Sequence, residues 1–297
     1  MNVLTRGDLD GLASALLLTY VETIREIRFA HPKDVQDGKV AAGKDDVVVN
    51  LPFVPGCGLW FDHHVSQDEQ ARAAGAFQGR FAVAPSCARV IHDHYAHPDF
   101  ARHKAFLDEV DRFDSGKLTP ADVTDPKDWV LLGYTLDPRT GFGPEFQKYF
   151  RWLVEYVKEV SLEKVLQHPE VKKRCERVRQ ERDEFLVLLK KHSRADGNVI
   201  VTDFRGQRNV IVGNRFLVYT LHPQGNVETR LHDGKGGATV NVAVGKSIFN
   251  RTCPVNVGLL CREFGGGGHD GAGTCQLKPG EAPAKIAELI KRLKTVK

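Results

Sequence analysis

What this chain lacks narrows its function before any motif is read. None of its 297 residues belong to an apolar run approaching the roughly 18 that a membrane helix needs. The opening Met1-Asn2-Val3-Leu4-Thr5-Arg6 lacks the charged, apolar and small-residue succession of a secretory leader, so no membrane role and a cytoplasmic location are expected. CxxC spacing is missing too. The six cysteines (Cys57, Cys87, Cys175, Cys253, Cys261 and Cys275) suggest neither a zinc ribbon nor a redox pair, and in a reducing compartment they read as free thiols, several of them buried. Nor is there an excess of one charge. Lys and Arg number 42 against 38 Asp and Glu, and the net charge of +4 admits an anionic substrate without demanding nucleic acid. Extended basic or aromatic tracks are absent, which argues against long duplex DNA.

What is present is ordinary globular composition, 41% apolar and 27% charged, in a chain long enough for two domains. Strand and helix signals alternate early, as a parallel sheet requires. Asn2–Thr5, Ile27–Ala30, Val47–Val49 and Leu59–Phe61 read as strands, and a buried helix opens at Gly11. From Pro85 the pattern turns helical, over Ser86–Tyr95 and Asp99–Phe113. His92, His94, His97 and His103 fall here without the i, i+4 spacing of a helical zinc site, and they read as solvated surface. Residues 150–193 form a charge-dense helical connector, broken near Pro169. Beyond Gly197 the chain reads as strands at Val199–Val201, Asn209–Val212, Phe216–Tyr219, Glu228–Leu231 and Ala238–Val244. A helix over Val255–Phe264, an edge strand at Thr274–Leu277 and a last helix over Ala282–Lys294 follow.

Three short motifs carry chemistry. Asp8-Leu9-Asp10-Gly11 follows the first strand, Asp62-His63-His64 ends an apolar run, and Gly265-Gly266-Gly267-Gly268-His269 comes late. Carboxylate oxygen combined with imidazole nitrogen suits Mn²⁺, Fe²⁺ or Zn²⁺. The glycine run offers backbone N–H groups to an anion, with an imidazole beside them.

In this order the motifs resemble the DHH phosphoesterase family with its C-terminal DHHA1 domain, the group of RecJ-type exonucleases, nanoRNases and exopolyphosphatase-like proteins. The resemblance spans both ends of the chain. It implies an α/β fold: a parallel-sheet DHH domain over residues 1–155, a helical connector over 156–195 and a smaller α/β DHHA1 domain over 196–297. It also implies a metal-dependent phosphoesterase that hydrolyses a small anionic phosphorylated substrate in the cleft between the domains. A short oligonucleotide, including short single-stranded nucleic acid, or a nucleotide phosphate is the expected class, with Mn²⁺ or another divalent metal as cofactor. A homodimer is left open.

The family's residues carry over unevenly. Asp8, Asp10 and His63 match metal ligands, while Asp62 and His64 match groups that orient a ligand and face the phosphate. Leu4 stands where the family has a ligating histidine and Asn50 where it has a bridging aspartate, which leaves one or two metals open. Arg6 reads either as a phosphate clamp replacing a missing ion or as an ion pair with Asp8. For the later acidic ligand, Asp111 follows the apolar pattern and comes first, with Asp114 the alternative. Arg251, Gly266, Gly267, Gly268 and His269 match substrate-binding positions, although Thr274 replaces a glycine usual in the family loop. Two rival readings are a degenerate DHH-fold protein that binds a nucleotide or nucleic acid without hydrolysis, and an exopolyphosphatase-like hydrolase.

Overall fold

A computed structural model describes residues 1–67, 71–73, 75–208 and 210–294. The chain divides into two compact units, Met1–Lys117 with Pro126–Val178, and Leu118–Asp125 with Arg179–Lys297. The short segment Leu118–Asp125 is thus flanked on both sides by residues of the first unit while grouping with the second.

In the first unit five parallel strands lie in the order β2-β1-β3-β4-β5. They are β1 (Asn2–Thr5), β2 (Glu26–Phe29), β3 (Asp46–Val49), β4 (Leu59–Asp62) and β5 (Gly79–Phe81). Val47, Val48 and Val49 are all fully buried, because a parallel sheet is covered on both faces. One face packs on α1 (Leu9–Val21), α2 (Cys87–Tyr95) and α3 (Lys104–Asp114), with Phe61, Leu12, Ile91 and Val110 in their shared core. The opposite face forms a smaller cluster around Leu4, Val48, Trp60 and Val54. Between β1 and β3 the strand order reverses, so the loops leaving those strands diverge and open a crevice at their carboxyl ends. Asp8, Asn50 and His63 all follow such ends.

Helix α1 shows how tightly that edge is built. Asp8 caps it, accepting a hydrogen bond from the Gly11 N–H at 2.9 Å. Gly11 is obligatory there, since a Cβ would lie 2.0 Å from the Arg6 carbonyl oxygen. The helix is buried from Leu9 through Leu18, and its near-uniform apolar surface is what a central helix needs.

The second unit holds a six-stranded mixed sheet in the order β10-β11-β9-β8-β7-β6. Its strands are β6 (Ser193–Asp196), β7 (Val199–Asp203), β8 (Val227–Asp233), β9 (Val240–Lys246), β10 (Gly267–His269) and β11 (Ala272–Leu277). Helix α4 (Pro144–Glu159) and a short helix at Leu162–Gln167 belong to the first unit, and the long α5 (Pro169–His192) begins there and ends in the second, so the helical stretch does break before Pro169. One sheet face buries Val201, Leu231 and Val242 with α6 (Val257–Glu263) and α7 (Ala282–Leu293). The other packs Ile200 and Phe204 against Phe185 and Leu189 of α5.

Three readings of this half need correction. Leu217–Leu221 is a helix, not a strand, because a short apolar run without clear periodicity fits either. Val210–Val212 forms no strand, and Asn209 lies outside the described residues. Strand β11 is not at the edge, since β10 pairs beyond it. In the first unit His103 is buried rather than solvated, with Nε2 2.8 Å from the Tyr20 hydroxyl. Among the described residues no helix is long and apolar enough to cross a membrane.

Candidate metal centre

Strand β4 delivers Asp62 fully buried and His63 nearly so. The Nδ1–H of His63 donates to the Ala84 carbonyl at 3.0 Å, which fixes the tautomer and leaves Nε2 as a lone-pair donor. That nitrogen is buried and has no hydrogen-bond partner. It faces two carboxylates, Asp10 Oδ2 at 3.6 Å and Asp114 Oδ2 at 3.2 Å. Ligand atoms of Asp10, His63 and Asp114 all lie within 4.8 Å of one another.

Asp10 is held from the far side. Its two oxygens accept the backbone N–H groups of Cys87 (2.9 Å) and Ala88 (2.8 Å), at the start of α2. Two amides and the positive end of the helix dipole therefore support a charge that burial alone would suppress. Burial still dominates, raising the Asp10 pKa above the usual carboxylate range, with His63 opposing and the Asp8 charge adding to it. Asp114 is raised well above its ordinary value by burial and then by the Asp10 and Asp8 charges. Two carboxyls that resist ionising together, beside an unpartnered imidazole nitrogen, make a site short of positive charge. One nitrogen and two carboxylate oxygens fit a divalent metal ion.

In a second grouping, Asp62, His63 and His64, two members already hydrogen-bond to each other. His64 Nδ1–H donates to Asp62 Oδ1 at 2.8 Å, so those two atoms satisfy each other, while Asp62 Oδ2 is buried without a hydrogen-bond partner. Burial works against charge on His64, but the hydrogen bond and attraction from Asp62 outweigh it and raise the His64 pKa.

Asp111, the first choice from the sequence, is directed elsewhere. It accepts hydrogen bonds from Ser86 Oγ at 2.6 Å and Arg89 Nε at 2.8 Å, while Asp114 at the end of α3 reaches His63. Leu4 faces the apolar cluster of Val48 and Trp60. Asn50, at a left-handed φ of 55° that Asn tolerates better than most residues, donates Nδ2–H to Asp8 Oδ1 at 2.9 Å. Arg6 pairs with Asp8, Nε to Oδ2 at 3.1 Å. The donors around Asp8 already satisfy its carboxylate without an ion. Cys87 keeps its proton, since burial and then the Asp10 charge push its pKa well up. The thiol donates to the Phe61 carbonyl oxygen at 3.2 Å.

In the second unit, His269 lies on β10 and Arg251 is exposed, with Nε donating to the Ile248 carbonyl at 3.1 Å. The glycine run is more committed than a free anion cradle. Gly265 and Gly266 spend their N–H groups on the Arg262 and Cys261 carbonyls at the end of α6. Gly267 and Gly268 pair with Thr274 and Gly273 in the β10–β11 hairpin.

The chain aligns over 98% of its length with the solved structure of a pGpG-specific phosphodiesterase, PggH from Vibrio cholerae, covering 98% of that protein at 34% identity and a TM-score of 0.85. It belongs to the DHH/DHHA1 phosphoesterase family. Within that family it is an enzyme fold for hydrolysing phosphoester bonds. More distant likenesses show the fold alone. The DHH domain of a protein described as belonging to a family of ribosomal proteins has 13% identity and a TM-score of 0.60, over 100% of this chain and 87% of that one. An exonuclease RecJ bound to manganese has 13% identity and a TM-score of 0.50, over 100% and 91%. No family model and no curated protein sequence matches the chain.

Two parts of the centre escaped the sequence reading, the Ala84 carbonyl and the α2 N-terminus. Ser86, a capping residue just before an apolar run, was a signal for the second. A backbone carbonyl carries no residue signature at all.

Proposed function

We propose that this chain is a metal-dependent phosphodiesterase of short 5′-phosphorylated oligonucleotides, with the linear dinucleotide pGpG as its first substrate. The observation that carries this reading is the 34% identity to a pGpG-specific phosphodiesterase along 98% of both chains. The fit of Asp10, His63 and Asp114 to an ion supports it and speaks against a binder that has lost catalysis.

In this reading Asp10, His63 and Asp114 hold the cation, and Mn²⁺ is the ion we assign. When bound, it supplies charge for the scissile phosphate and lowers the pKa of a water. The chain's own groups do the rest. The Ala84 carbonyl keeps His63 Nε2 directed at the ion, and the Cys87 and Ala88 amides keep Asp10 from swinging away. His64, whose Nδ1–H is held by Asp62, presents its other nitrogen to a phosphate oxygen or to the departing sugar oxygen. Arg251 and His269 of the second unit take the part of the substrate remote from the broken bond.

The test is a hydrolysis screen with Mn²⁺ over pGpG, other linear dinucleotides, pAp, cyclic dinucleotides and inorganic polyphosphate. Cleavage of pGpG to GMP ahead of the others is expected, with Asp10→Ala and His63→Ala each losing at least roughly 10³-fold in kcat and most of the bound metal. A preference for polyphosphate, or wild-type activity in either variant, rejects the assignment.

A further inference from the structure

Asp8 is the most heavily engaged carboxylate of the centre. Oδ1 accepts from Gly11 N–H and Asn50 Nδ2–H, both at 2.9 Å, and Oδ2 meets Arg6 Nε at 3.1 Å. A carboxylate accepting two amide hydrogens and a guanidinium already has its neighbouring positive charge. Asn50 is 1% exposed, and turning its nitrogen to Asp8 leaves Oδ1 buried without a partner. The orientation follows from Asp8 itself, because an ionised carboxylate can only accept. An orphaned amide oxygen in this setting awaits a cation or a water proton.

Arg6 is the other half of the arrangement. Its side chain is 36% exposed, and among the described residues Asp8 is its sole partner, reached through Nε. The two terminal nitrogens remain for a ligand. A guanidinium fork matches phosphate oxygens in geometry as well as charge.

Resting on the metal-dependent reading above, we propose that the centre works with one divalent ion and that Arg6 takes the place of a second. Asp8 is the counter-charge of Arg6, not a metal ligand. Asn50 joins the halves, giving N–H to Asp8 and its free Oδ1 to the ion or to water on it. The terminal nitrogens of Arg6 bind an oxygen of the substrate phosphate. An aspartate at position 50 would set two carboxylates about one hydrogen-bond length apart, a repulsion that a bridging dication relieves and that an amide never creates.

The experiment counts ions and needs no substrate. Purified full-length protein is titrated with Mn²⁺ while free Mn²⁺ is followed by electron paramagnetic resonance, and the expected result is one tight site per chain. Two tight sites in the wild type would overturn the proposal. The double variant Arg6→Ala/Asn50→Asp, checked for folding by circular dichroism, should take up two ions, and a folded double variant that still binds one overturns it as well. Arg6→Lys keeps the charge and loses the fork. It should retain one ion while kcat/KM for pGpG drops roughly 10- to 100-fold, and an unchanged kcat/KM removes Arg6 from the phosphate. Absence of any hydrolysis by the wild type would instead sink the assigned activity, with the ion counts still deciding this proposal.

Discussion

At the scale of single residues, Asp114 stands beside two other acids, and its charge is disfavoured in the metal-free protein. Its pKa is raised by burial and by Asp10 and Asp8, so the folded state prefers it protonated. The sign follows from linkage. A raised folded-state pKa contributes stability below the ordinary carboxylate value of 3.8, and that contribution is lost as pH rises toward the folded value. The metal-free chain is therefore expected to lose stability from this group on going from acid toward neutral pH, and Mn²⁺ to restore it. Asp114→Asn should raise the Tm of the metal-free protein at neutral pH while abolishing tight Mn²⁺ binding. In a chain of this size each kcal/mol relieved moves Tm by roughly 2–4 °C. Thermal melts of both proteins with and without Mn²⁺ decide it, and an Asn variant that is less stable without metal and still binds Mn²⁺ contradicts it. The sequence could not separate Asp114 from Asp111. They stand three apart on α3 and share a face, and the difference is made by Arg89 and Ser86 from another helix. Local pattern shows which acids are near a site, whereas partners distant in sequence show which acid is spoken for.

At the scale of elements, the parts read correctly are those whose burial is uniform. Strands β1, β3 and β4 are short apolar runs ended by polar residues, and that termination located the carboxyl-end loops and most of the candidate site. The second unit was harder, because Leu217–Leu221 is equally apolar and the glycine run gives no periodicity. That run is a strand because of what lies against it. Gly268 has φ 151°, and a Cβ there would stand 2.2 Å from the Ala272 carbonyl oxygen, so the hairpin closes only with glycine. Gly268→Ala should therefore part β10 from β11 and displace His269. Steady-state kinetics should show KM for pGpG rising at least tenfold with a smaller change in kcat, while Mn²⁺ affinity, set in the other unit, is unaffected. A variant with wild-type KM would remove the hairpin from substrate binding.

At the scale of the whole molecule, catalysis and substrate capture are assigned to different units, and kinetics can separate them. Arg251→Ala should raise KM far more than it lowers kcat, since it removes a contact equally strong before and during bond cleavage. An equal fall in kcat and kcat/KM would move Arg251 to the reacting phosphate. The six thiols add an internal clock. None forms a disulfide, five are buried and Cys57 is half-buried, with Cys87 beneath the candidate metal centre and Cys253, Cys261 and Cys275 in the second unit. A thiol reagent added to the native chain can modify the buried five only during transient openings, so each labelling rate measures how often its own neighbourhood breathes. Peptide-resolved alkylation would then time the two units separately in one tube. Slower modification of Cys87 alone on adding Mn²⁺ would be the footprint of an ion closing the crevice above it.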